Sequence, residues 1–135
     1  MQVIKRNSTN ILIFTLKEAQ TLSSPVFLFE LTCKTNAYPY YFIATDLSQY
    51  PDRYNKFSVT EGGVENVYNA SIVLSSNGEY KYRIFEQTST TNLNPALCDN
   101  TTPLEYGFIL VEGTAATERN YDYTKKNGKT YATGK

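Results

Sequence analysis

The chain has no tryptophan and no histidine, and little else that does chemistry. Without imidazole, the commonest general base and the commonest metal ligand are both missing. Only two cysteines, Cys33 and Cys98, occur in 135 residues, so no disulfide framework can form and two free thiols are expected. Cysteine-based nucleophilic catalysis lacks its histidine. Two distant thiols do not make a zinc site. No glycine-rich phosphate loop of either standard spacing is present, nor an EF-hand pattern. Apolar runs stop well short of membrane-spanning length, and the opening MQVIKRNSTN turns polar at once, unlike a signal peptide. These absences predict a protein made in a cytoplasm, with no cofactor, no metal and no membrane partner.

What the chain does have is aromatic. Twelve tyrosines and seven phenylalanines sit among abundant Thr and Asn, a composition that suits pleated, half-buried surfaces and so favours strands. The length is that of one domain with a real core. Thirteen basic and thirteen acidic residues cancel, but unevenly. Residues 1–116 carry eight Lys/Arg against eleven Asp/Glu, and residues 117–135 carry five against two. A mildly acidic body with a basic tail can pair with itself or with an acidic neighbour.

Strand signals recur along the body. QVIKR opens with a short strand, and NSTN supplies a turn. Ile11 to Leu16 is apolar on both faces, as a central strand is. In Val26–Cys33, Phe27, Phe29 and Leu31 share one face, with Val26, Leu28 and Glu30 on the other. Tyr40–Thr45 pairs with it across KTNAYP. Lys56–Thr60 precedes a Gly62-Gly63 turn. Val67–Leu74 and Glu79–Glu86 flank Ser75-Ser76-Asn77-Gly78, the signature of a hairpin closed by a type I′ turn. That register points Tyr80, Tyr82 and Ile84 one way, and Lys81 and Arg83 toward water. Tyr106–Val111 is the last apolar strand, and Tyr121–Thr124 with Lys129–Ala132 forms a small marginal hairpin. Seven or eight short strands without a βαβ unit predict an all-β, antiparallel β-sandwich over residues 1–113, with an immunoglobulin-like topology open, and a polar, basic C-terminal arm over residues 114–135.

The carboxylates Glu61, Glu65, Asp46 and Asp52 flank loops. A glycosidase pair would need a cleft that shifts one pKa, whereas loop acids usually cap or solvate. Triplets such as Asn100-Thr101-Thr102 read as turn chemistry rather than glycosylation sites. Tyr38, Tyr40 and Tyr41 form a cluster whose flat faces and hydroxyls suit protein interfaces and sugar platforms equally. The body is acidic and only Lys81 and Arg83 interleave with aromatics, which argues against nucleic acid. The stretch FEQTSTTNLNPA holds a single large apolar residue after its strand, Leu93, and reads as a polar edge facing neighbours or solvent.

Four phrases, Asn7-Ser8-Thr9-Asn10, TDLSQYPDRYNKFSVTEGG (45–63), GEYKYRIFEQTSTTNLNPA (78–96) and LEYGFILVEG (104–113), occur in this order in a chain that resembles small proteins of tailed bacteriophages of Bacteroidota hosts, including the crAss-like phages. The resemblance spans roughly residues 5–113. It implies a non-enzymatic virion structural protein, an auxiliary (decoration) capsid or head-fibre-anchoring protein on the head surface. Its partners would be the major capsid protein or other virion proteins, through lattice or homo-oligomeric contacts. Candidate interface residues are Tyr38, Tyr40, Tyr41, Asn92 and Asn94 on the body, and Arg119, Tyr121, Tyr123, Lys125, Lys126 and Tyr131 on the arm. A neck or tail component and a module binding host surface glycans are the alternatives.

Overall fold

A computed structural model describes residues 2–113 and, beyond them, only the backbone of the two-residue strands Thr130–Tyr131 and Thr133–Gly134. The other calls on the arm, its hairpin included, lie outside the described residues. The body has eight strands and no α-helix: β1 (Gln2–Lys5), β2 (Ser8–Phe14), β3 (Val26–Cys33), β4 (Pro39–Ala44), β5 (Asn55–Glu61), β6 (Ser71–Ile72), β7 (Gly78–Gln87) and β8 (Glu105–Glu112). They form a β-sandwich. A five-stranded sheet in the order β1-β8-β7-β3-β4 faces a three-stranded sheet in the order β2-β5-β6.

The larger sheet carries β8-β7-β3-β4 in the G-F-C-C′ order of an immunoglobulin-like sandwich, but the smaller sheet departs from that topology. The strand beside β2 is β5, and β6 follows it in the chain and pairs with it in parallel, where the immunoglobulin order has the outer strand first and antiparallel. Near the start of β7 the Tyr80 hydroxyl donates back to the Ser76 carbonyl at 2.8 Å, a local contact like that of a tyrosine corner. Two pairs are parallel, β1 with β8 and β5 with β6; the other paired strands of the body run antiparallel.

Period-2 alternation explains the core. Phe27, Phe29, Leu31, Phe42, Tyr80, Tyr82, Ile84, Ile109 and Val111 point inward from the larger sheet; Leu12, Phe14, Phe57, Val59 and Ile72 meet them from the smaller. Phe29 sits at the centre. It stacks on Phe42 at 5.0 Å and 15°, and receives Phe57 edge-on at 5.0 Å. Both geometries are favourable for aromatic quadrupoles.

Three expectations change. The apolar run at Ile11–Leu16 is not a central strand. β2 pairs only with β5, and Ile11 and Ile13 lie on its outer face at 51% and 45% exposure. Its free edge is blunted, because the Gln2 side-chain amide donates to the Ile13 carbonyl at 2.5 Å and accepts its N–H at 2.7 Å. Second, Val67–Leu74 is not one strand. Val67–Asn69 is a 3-10 turn capped by Asn66, followed by the two-residue β6. Third, the Asn77-Gly78 pair closes no hairpin. A type I′ turn needs φ > 0 at both residues, and only Gly78 has it (φ 119°). The glycine instead lets the chain cross from one sheet to the other and enter β7.

Replacing Phe29 with Ala is expected to cost about 3–5 kcal/mol in denaturant unfolding, with an unchanged m-value. Ile13→Ala, on the outer face, is expected to cost far less. Equal losses would mean that Ile13 packs in a core.

Candidate functional site

Both sheets leave their outer faces open; that of the five-stranded sheet carries the larger exposed rings. Alternation in β8 turns Tyr106, Phe108 and Leu110 away from the core, at 71% exposure for Tyr106 and 44% for Phe108. Register then fixes their neighbours. Tyr106 lies opposite Arg83, Arg83 opposite Glu30, and Glu30 opposite Tyr41, in one row across four strands. Phe108, Lys81, Thr32 and Pro39 make the adjacent row.

The polar groups of the first row are spent on one another. Arg83 binds Glu30 through two N–H groups, Nε to Oε1 at 2.6 Å and Nη2 to Oε2 at 3.0 Å. That bidentate contact raises the Arg83 pKa against the opposing effect of burial. Tyr41 is pushed up by burial first, then by the Glu30 charge and hydrogen bond. Lys34 pairs with Glu79 at 2.8 Å, and its ammonium lies 5.1 Å from the centre of the Phe108 ring. The result is a fixed ionic strip beside exposed rings.

One end of this face is covered. Residues 88–104 fold back over it, and Leu93 and Cys98 pack on Leu28, Ile43 and Phe85. Leu93 anchors the stretch inward, while Thr88, Thr90, Thr91 and Asn94 around it stay exposed. Asn92 is turned inward, donating to Gln87 Oε1 at 2.6 Å, and Asn94 caps the 3-10 turn Pro95–Leu97. Beneath the loop lies Glu86, fully buried and with no cation in contact among the described residues. Its carboxylate accepts the Thr21 N–H and hydroxyl, the Leu22 N–H at 3.0 Å and the Asn100 amide at 3.0 Å. Burial pushes its pKa up, but these hydrogen bonds outweigh burial and leave it lowered.

The tyrosine cluster does not form a platform. Tyr41 faces outward. Tyr40 turns to the other side of β4, donating to Glu65 and accepting the Val73 N–H at 3.1 Å. Tyr38 is exposed beside the β3–β4 turn. Arg119, Tyr121, Tyr123, Lys125 and Lys126 lie outside the described residues, and of Tyr131 only its place in a two-residue strand is described.

The remaining loop acids also have structural partners. Asp46 accepts the N–H groups of Ser48 and Lys56 and the Asn55 amide. Glu61, buried, accepts from Asn7 and Leu74 beside the Arg6 guanidinium. Asp52 pairs with Lys17 at the surface. Both cysteines are buried and unpaired. Burial pushes the Cys33 thiol up, but hydrogen bonds from Ser76 and from the backbone at Thr35 and Asn36 bring it down to about 7.

Sequence reasoning missed Tyr106 and Phe108. Their signal was present, because YGFILV is apolar on both faces and one face of a sandwich strand lies outside the core.

No family model and no curated protein matches this chain. Among solved structures, a candidate glycoside hydrolase of Bacteroides vulgatus is similar over 86% of this chain and 17% of its own, at 8% identity and a TM-score of 0.43. A likeness of that size assigns neither activity nor substrate.

Glu86 yields a pH prediction. Its folded pKa lies below the ordinary 4.5, so the stability it supplies is fully present above that value and is lost as pH falls through the folded pKa. Glu86→Gln is expected to lose about 1–3 kcal/mol near neutrality, with the gap to wild type closing on acidification. Urea unfolding of both forms at stepped pH measures it. A pH-independent gap would show that the charge is not what the loops bind.

Proposed function

We propose that the protein is a non-enzymatic structural component of a phage virion, an auxiliary (decoration) capsid or head-fibre-anchoring protein held by protein–protein contacts. The observation that carries the reading is the exposed Tyr106–Phe108 pair on a sheet face where Arg83 is paired with Glu30 and Lys34 with Glu79. Tyrosine and phenylalanine are enriched at interface cores, and an internally neutralised ionic strip can be buried against a partner without leaving a bare charge. The resemblance to small proteins of tailed phages supplies the setting. The fold supports the role without being specific to it, since β-sandwiches serve many functions.

A catalytic reading would need a reactive group held ready in a cleft. The loop acids that suggested a glycosidase pair are instead engaged with backbone N–H groups, a hydroxyl or a lysine. The arm at residues 114–135 is assigned, as part of this proposal, to docking on a neighbouring subunit. A neck or tail location differs from a head location chiefly in copy number.

Quantitative mass spectrometry of gradient-purified particles, normalised to the major capsid protein, decides the assignment. A copy number comparable with the capsid protein places it on the head lattice, and a few copies place it at the neck or tail. Absence from particles ends the virion reading. The double variant Tyr106→Ser/Phe108→Ser is expected to keep the fold, at a cost of no more than about 1 kcal/mol per site, and to lose binding to particles that lack the protein. Unchanged binding would remove the sheet face from the interface.

A further inference from the structure

The open face restricts what can sit on it. With residues 88–104 covering one end, five strands remain uncovered over about five residues each. At ~4.8 Å between strands and ~3.4 Å per residue, that is roughly 24 by 17 Å. The resulting area, about 400 Å², is well under the ~800 Å² per partner of a stable domain interface. A second copy laid face to face would find too little surface, whereas one extended segment fits within it.

Charge narrows the occupant further. Arg83 is neutralised by Glu30 and Lys34 by Glu79. Lys81 is exposed, lies in register between Phe108 and Thr32, and has no ion pair among the described residues. At the β1 edge of the same face Lys5 and Glu112 stand opposite each other in register and offset one another. The face therefore presents one cation in excess, Lys81, beside two rings that stand two residues apart on β8, about 6.8 Å. An extended peptide has the same two-residue repeat on each of its faces. The arm of this chain, itself basic, would be repelled.

We infer that this face binds a short, extended, acidic segment of a partner protein, with a carboxylate on Lys81 and flanking apolar side chains over Tyr106 and Phe108. The inference rests on the docking reading above and names the partner's chemistry. A sugar fits less well, because saccharide hydroxyls need polar groups with free hydrogen-bonding capacity, and here the Arg83 and Lys34 charges are taken by Glu30 and Glu79.

The test uses the full chain and two fluorescein-labelled peptides, Leu-Ser-Leu-Ser-Glu and Leu-Ser-Leu-Ser-Lys, whose leucines keep the two-residue spacing of the rings, followed by polarisation and by amide chemical-shift mapping. The Glu peptide is expected to bind more tightly and to shift resonances of β7 and β8. Lys81→Glu is expected to reverse the preference, weakening the Glu peptide about tenfold, the equivalent of one paired charge. Shifts at other strands, equal binding of both peptides, no binding, a preference indifferent to Lys81→Glu, or a neutral oligosaccharide shifting the same rows instead would each overturn it. Particle composition is measured separately. A protein found on particles that ignores the Glu peptide would sink this inference and leave the virion assignment standing.

Discussion

The two sheets exchange few backbone hydrogen bonds, so side chains must tie them together, and one buried carboxylate does most of this at one pole. Glu61, at the end of β5, accepts the Asn7 N–H at 3.1 Å and the Leu74 N–H at 2.9 Å. Arg6 lies beside it with Nε 3.7 Å from Oε2, and the same guanidinium donates to the Leu74 carbonyl and to Asn77 Oδ1. Asn77 in turn holds the Gly113 carbonyl at 2.8 Å. Four passages of chain therefore meet at one ion pair: the β1–β2 turn, the end of β5, the β6–β7 connection and the exit from β8. Removing either partner would leave a charge stranded in a buried site, which is why such a pair specifies geometry more than it adds net stability.

That pole sets where β7 begins, and the start of β7 sets everything on the outer face. A shift of one residue would turn Tyr80, Tyr82 and Ile84 out of the core and bring Lys81 and Arg83 in. Asn10 makes a parallel contribution along the side of the sandwich, where its amide accepts the Lys5 N–H at 2.9 Å and donates to the Lys5 carbonyl at 3.0 Å. At the opposite pole Glu86 gathers residues 15–25 and 88–104 without a cation. Three side-chain clusters thus hold what backbone pairing cannot.

Much of this was legible from local pattern. The strands at Val26–Cys33, Glu79–Glu86 and Tyr106–Val111 follow from alternation and turn residues, and Phe27, Phe29 and Leu31 share the core face as their spacing requires. What was not legible depends on distant neighbours. Ile11 and Ile13 look like core residues until β2 is known to pair on one side only. Asn77-Gly78 is chemically a hairpin turn, yet the tie to Arg6 and Gly113 overrides it. Leu93 and Cys98 are too sparse to announce that a polar loop caps an apolar patch. Glu30 and Arg83, separated by 53 positions, become partners only when β3 and β7 lie side by side.

Placing satisfied charges beside bare rings has a physical consequence for function. A catalytic group must keep an unsatisfied valence at the reacting atom, and it is costly to bury until substrate arrives. A docking face faces the opposite demand, because each of its polar groups must survive desolvation with its own hydrogen bonds intact. Glu30 and Arg83 meet that demand in advance, so covering them removes water from a pair that already needs none. The rings of Tyr106 and Phe108 then contribute apolar area at the low entropic cost of two rotatable bonds each. Lys81 is the group in these rows still lacking a counter-ion among the described residues, and in the docking proposed above it would supply selectivity rather than bulk affinity, favouring a partner that brings a carboxylate over one that brings a lysine.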